Sequence, residues 1–194
     1  MKKIKFLFLF LSFTTVSVIS QETTLSTNNS PNLKFLVGAG IEFGGDSVAQ
    51  IFFQNGSDQS VNAGQGLAVS VGGELSFPSL EKFSLRATLG FKYVTTKATN
   101  YHITLTRIPL EFSANYMVTK SIRLAAGFAS HQNIKFNSDG LGANETFKGG
   151  FGPKLEIAYK WIGLSYTIMN YSDSLNNSYN ANAFGITLST TDIF

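Results

Sequence analysis

The stretch FSLRATLGFKY, residues 83–93, separates cleanly when read at alternate positions. Phe83, Leu85, Ala87, Leu89, Phe91 and Tyr93 fall on one side; Ser84, Arg86, Thr88, Gly90 and Lys92 fall on the other. A period of two marks an extended strand whose side chains point to opposite faces in turn. Two kinds of protein use such a strand. In a water-soluble barrel the apolar side points inward. In a membrane barrel the polar side does, and Arg86 then sits inside the lumen.

The same period recurs at 33–43, 66–77, 106–116, 122–130, 150–160, 162–168 and 181–189, making eight strands. Their apolar sides contain no Lys, Arg, Asp or Glu. The opposite sides carry Glu42, Glu74, Arg86, Lys92, Arg107, Glu111, Arg123, Lys154 and Glu156 among Gly, Ser, Ala and Thr, and they include every arginine in the chain. A soluble barrel would spread Lys and Glu over a wide exterior. Small residues around a few charges suit a narrow interior. The connections alternate too: 78–82, 118–120 and 160–161 are short, whereas 46–65, 95–100, 133–147 and 172–182 are longer and rich in Asn, Ser and Gly. The reading is all-β: an eight-stranded up-and-down antiparallel transmembrane β-barrel, with mobile polar loops at one end and both termini at the other.

Two features depart from uniform alternation. Ile103 and Leu105 take the lumenal phase while Thr104 and Thr106 take the outer one. Either a bulge near Arg107 switches the phase, or this part projects beyond the bilayer. Pro109 and Pro153 each remove a ladder donor, for which local bulges are the expected accommodation.

Charged residues make up 14% of the chain, against about 25% in ordinary soluble domains. Part of the apolar excess is the leading segment MKKIKFLFLFLSFTTVSVISQE. Lys2, Lys3 and Lys5 precede an apolar run over 6–19, and Val18 and Ser20 offer small residues before Gln21. The run falls short of the roughly 20 residues of a spanning helix. Residues 1–20 are therefore expected to be a cleaved signal peptide, 21–32 a flexible periplasmic lead-in, and 33–194 the barrel domain. Losing three of the 15 Lys+Arg leaves them level with the 12 Asp+Glu. The formal net charge of +3 thus belongs to the export signal and gives no support for nucleic-acid binding. With no cysteine, neither a disulfide nor a lipid-modified cysteine is possible.

These residues resemble the small eight-stranded bacterial outer-membrane barrels, of the OmpA transmembrane domain and OmpX type, and the related family labelled porin-like or PorT-like. The resemblance covers roughly 33–194 and is carried by the export signal, the eight strands, the Tyr and Phe near strand ends, and the terminal Phe194. It implies residence in the bacterial outer membrane and insertion by the barrel-assembly machinery, with Phe194 as the assembly signal.

Candidate sites follow from the pattern. Glu42, Glu74, Arg86, Arg107, Glu111, Arg123, Lys154 and Glu156 form an expected lumenal charge network. Within it, a Glu74–Arg86–Glu111 layer is expected, with Arg107 and Arg123 nearby. An eight-stranded lumen is just wide enough for side chains, so a structural plug is favoured over an ion or proton relay. Phe77, Phe83, Tyr116, Tyr159 and Trp161 form an expected membrane-interface girdle. His102 and His131 have no suitably spaced nucleophile, and NSDGLGANE (137–145) lacks calcium-loop spacing. No enzyme activity, cofactor or metal is expected. VAQIFF (48–53) is an apolar patch inside the longest loop, read as a packed hairpin extension. The expected role is structural or surface-interacting through extracellular loops. The alternatives are a narrow channel gated by the lumenal charges, an accessory component of an export machine, and a lipid-modifying barrel enzyme. Expected partners are outer-membrane lipid, the barrel-assembly machinery and a surface or envelope protein, with no nucleic acid.

Overall fold

The alternating segments pair into a closed sheet. A computed structural model describes residues 30–52, 58–98 and 101–191. Its barrel strands are β1 (Asn32–Phe43), β2 (Gly66–Ser76), β3 (Phe83–Ala98), β4 (Tyr101–Met117), β5 (Ile122–Asn137), β6 (Phe151–Tyr159), β7 (Ile162–Thr167) and β8 (Ala183–Thr190). Each pairs antiparallel with its neighbours in the chain, and β8 returns to β1 through Val37 opposite Thr190 to Phe43 opposite Phe184. The result is an eight-stranded up-and-down barrel. Among the described residues there is no α-helix, only a 3-10 turn at Pro78–Leu80 between β2 and β3. The segment expected to be a signal peptide, nearly all of the expected lead-in, Phe53 and Phe194 lie outside the described residues.

The two faces are inverted relative to a soluble protein. Leu67 is 61% exposed and Phe112 52%, whereas Lys92 is 1% exposed and Arg107 0%. Outward apolar side chains run round all eight strands, Phe35, Leu89, Leu124, Leu155, Leu164 and Ile186 among them. A continuous apolar belt around a lumen of charged side chains suits hydrocarbon and not water.

The strands are unequal in height. β4 has 17 residues and β3 and β5 have 16 each, whereas β7 has 6. At about 3.3 Å per residue and a tilt near 40°, such a long strand rises about 40 Å, well above an apolar band of about 25 Å. The surplus forms a dome in which the ordinary rule returns. Val94, Ile103, Leu105, Ile134 and Phe136 point inward and are buried, while Thr104 and Thr106 are partly exposed and Lys135 and Asn137 are exposed. The segment at Ile103 and Leu105 therefore projects beyond the belt, and β4 keeps one inward phase throughout.

The phase switch occurs across the ladder, in β5. Ile108 faces Gln132 but Thr106 faces Lys135, so β5 holds one extra residue. Asn133 absorbs it in the left-handed region at φ 51°, a conformation short polar side chains tolerate. Its inward set passes from Ala129 and His131 to Ile134 and Phe136. Asn133→Val should cost about 1–2 kcal/mol, because a β-branched residue there is strained, while Asn133→Gly should be near neutral. Denaturant midpoints of the two variants check this.

The prolines behave differently from expectation. Pro109 faces His131, and the β3–β4 ladder lapses between the Leu89–Leu110 and Lys92–Arg107 pairs, where Pro109 offers no N–H. Pro153 keeps its register opposite Phe128 without a bulge. Its carbonyl still accepts from Ile168 N–H at 3.0 Å.

Candidate functional site: the lumen and its outer cap

Two groups of ion pairs occupy the lumen. In the inner group, Arg86 Nε donates to Glu74 Oε2, directly across the β2–β3 ladder, and Arg86 Nη1 reaches Ser189 Oγ at 3.2 Å. Arg123 Nη2 donates to Glu156 Oε1 at 2.5 Å and its Nη1 to Asn115 Oδ1 at 2.6 Å. Thr187 Oγ1 donates to the second Glu156 oxygen at 2.9 Å. In the outer group, Lys92 Nζ pairs with Glu42 Oε2. Lys154 Nζ lies 2.6 Å from Glu111 Oε1 and 3.9 Å from Glu42 Oε1. A cavity of about 110 Å³ touches both groups, with Ser70, Thr88, Ser113 and Thr187 on its walls.

One expected layer is corrected. Glu111 is not beside Arg86. The β3–β4 ladder runs out to Ala98 opposite Tyr101, which sets Ser113 opposite Arg86 and Glu111 opposite Thr88. Glu111 is thereby carried up to Lys154. Arg107 stands apart, in the outer group above the cavity, and Arg123 joins the inner group.

The lumen is closed above by chain from several loops. The hairpin of Ser47–Phe52 and Asp58–Asn62 folds inward, and its return turn lies over the cations. Lys92 Nζ donates to the Gly64 carbonyl at 2.7 Å, and Arg107 Nη2 donates to the Gln65 carbonyl. Asp46 ties the hairpin to the last loop, its N–H donating to Asn180 O at 2.7 Å and its Oδ2 accepting from Asn180 N–H at 2.8 Å. Val61, Ala63, Phe147, Met169, Tyr171 and Ala181 complete one apolar cluster with the inward residues of β3, β4 and β5, and Val48 and Ala49 pack against it. Among the described residues, parts of the long loops are thus packed over the barrel mouth, while 139–144 and 174–178 stay exposed. The patch at 48–53 contributes to this cluster through its first two residues.

Both histidines belong to this end. His131 is buried, its Nδ1 hydrogen-bonded with the Tyr171 hydroxyl; burial pushes that hydroxyl up to about 12, so it stays neutral at ordinary pH. His102 is exposed, its N–H donating to Asp139 Oδ2 at 2.6 Å. Among the described residues no group of three His, Cys, Asp or Glu side chains converges as metal ligands do. At the opposite end Phe83 packs on Tyr116 with ring centroids 5.0 Å apart. There Tyr159 and Trp161 are exposed beside the β6–β7 turn, Phe77 is half-buried, and Lys160 Nζ stands 5.6 Å from the Tyr159 ring.

No known protein family matches the sequence, and no curated protein matches it. Among solved structures the chain is similar to Neisserial surface protein A (NspA), at 9% identity over 84% of this chain and 99% of that one, with a TM-score of 0.47. It is similar also to Ail, the attachment invasion locus protein of Yersinia pestis, in complex with the heparin analogue sucrose octasulfate. There the identity is 6% over 81% of this chain and 97% of that one, with a TM-score of 0.42. A second Ail structure gives 5% identity over the same shares, with a TM-score of 0.40. The fold stands on the strand pairing itself.

The last loop has its own anchor, which sequence reading missed. Asp173 Oδ1 accepts from Leu175 N–H at 2.9 Å and Asn177 N–H at 2.8 Å; Oδ2 accepts from the Asn177 amide at 2.8 Å and the Tyr179 hydroxyl at 3.2 Å. An Asp followed two and four residues later by accepted N–H groups is a turn signal that SDSLNN carries. Those donors, the Asn177 side chain first, hold the Asp173 carboxyl below its usual range, and the bond to that carboxylate pushes the Tyr179 hydroxyl up. A depressed carboxylate stabilises only while ionised. Its contribution is complete above about pH 4 and fades as pH falls through the folded value. Asp173→Asn at neutral pH, or acidification far enough to protonate Asp173, should remove the protection of the Leu175 and Asn177 amides while leaving those of β2 and β3 intact, as read by hydrogen exchange.

Proposed function

We propose that the chain is a bacterial outer-membrane barrel, its lumen plugged by ion pairs and its mouth covered by a packed dome, and that it serves a structural or surface-interaction role through the outer face of that dome. The observation that carries this reading is the change of sides between belt and dome. On β4, Leu110 and Phe112 face out below while Thr104 and Thr106 do so above, as a wall passing from hydrocarbon into water requires. The apolar cluster over Lys92 and Arg107 supports a closed barrel more than a pore. Packed loops offer a partner a surface with little ordering cost.

Intact cells carrying Lys135→Cys should react with a membrane-impermeant maleimide, and purified protein in planar bilayers should be electrically silent. A steady unit conductance that changes on neutralising Arg86 would instead establish the charge-gated channel. An altered lipid A profile on deletion would establish the lipid-modifying enzyme, and co-purification with secretion components the export accessory.

A further inference from the structure

The end of the barrel opposite the dome is made by three turns, and each carries a lysine. Lys82 closes the turn from β2 to β3, Lys120 lies in the turn from β4 to β5, and Lys160 in the turn from β6 to β7. All three are exposed. None has an ion-pair partner among the described residues, in contrast to Lys92 and Lys154, which are held against carboxylates in the lumen. Glu81 is the one acidic residue of the three turns. The turns form a continuous arc: the Lys82 carbonyl accepts from Met117 N–H at 2.8 Å, and the Ser121 carbonyl accepts from Lys160 N–H at 2.7 Å.

Each lysine has exposed apolar or aromatic neighbours: Leu80 and Phe83 at the first turn, Tyr116 and Val118 at the second, Tyr159 and Trp161 at the third. The Lys160 ammonium stands over the Tyr159 ring, its stem laid along an aromatic surface and its charge left in water. Turns this short cannot carry a lysine far from the belt, so the three ammonium groups lie where hydrocarbon gives way to water. A water-borne anionic partner would need no apolar residue beside each cation. A lipid, with its headgroup joined to acyl chains, needs both. We propose that Lys82, Lys120 and Lys160 form a docking arc for the headgroups of anionic phospholipid in the leaflet away from the dome. The proposal rests on the membrane reading above and adds the sign of the lipid that one rim selects.

Trp161, the single tryptophan of the chain, reports the lipid beside Lys160. The whole protein is placed in bilayers of equal phosphatidylglycerol and phosphatidylcholine, with one or the other brominated near the headgroup. Brominated phosphatidylglycerol should quench Trp161 as though enriched about fivefold at that rim. Lys120→Gln with Lys160→Gln should bring the two lipids level, whereas Lys120→Arg with Lys160→Arg should keep the preference. Salt near 1 M should weaken it, and Lys148→Gln on the dome should leave it unchanged. Equal quenching by both lipids in the wild type overturns this proposal alone and turns attention to an anionic partner in water. A preference that survives the Gln variant, or that Lys148→Gln removes, overturns it too. Quenching by neither lipid overturns it together with the barrel reading. Should the Gln variant fail to fold, the wild-type ratio decides.

Discussion

Glu42→Ala should destabilise the barrel by about 3–5 kcal/mol, the range for removing one partner of a buried ion pair. Glu42 pairs with Lys92, whose side chain is 1% exposed, and lies 3.9 Å from Lys154. Its loss leaves three cations against Glu111 alone. What fails is the desolvation balance: Lys92 keeps the Gly64 carbonyl but loses the charge that offset its burial. The sign is tested by a second change. Glu42→Ala with Lys92→Met removes both charges and replaces them with apolar volume, and it should recover most of the loss. Urea unfolding midpoints at equal slope measure both. A single-variant cost below about 1 kcal/mol would mean that water reaches Lys92 freely, as in an exposed pair.

Leu89→Arg should cost about 2–4 kcal/mol, as charge on the lipid face near the midplane of a barrel does. Leu89 is 50% exposed, flanked by Val71 on β2 and Leu110 on β4. In a soluble protein the same change would place an arginine on an already exposed surface and stay within about 0.5 kcal/mol. The matched control is Thr106→Arg, outward on β4 but above the belt, where no more than that small effect is expected. Equal effects at the two positions would show one medium around both.

The sequence made the barrel legible because each strand keeps its period across the belt, and the belt demands apolar residues at every outward position. The Glu74–Arg86 pair was legible for the same reason, since a short turn fixes the β2–β3 register. Glu111 was not, because pairing of β3 with β4 continues through residues that read as a polar loop. The β5 extension was hidden by Asn133: one residue in the left-handed region resets the parity, so Ile134 and Phe136 no longer continue the pattern of Leu124 and Phe128. The dome was hidden for a different reason. Its core is assembled from Val61, Ile103, Ile134, Phe147 and Tyr171, contributed by separate segments, each too short to show an apolar face alone. What local reading takes for free polar loops is a tertiary property of their packing.

The absence of cysteine from the chain permits a direct measurement of the belt–dome boundary. Single cysteines at Thr104, Thr106, Leu110, Phe112 and Ala114, all outward on β4, would each carry a nitroxide label in protein reconstituted into bilayers. Collisions with oxygen, which concentrates in hydrocarbon, should dominate at 110, 112 and 114. Collisions with a water-soluble nickel chelate should dominate at 104 and 106. A nickel chelate that reaches 112 and 114 as readily as 104 would contradict a membrane-spanning barrel with a water-exposed dome.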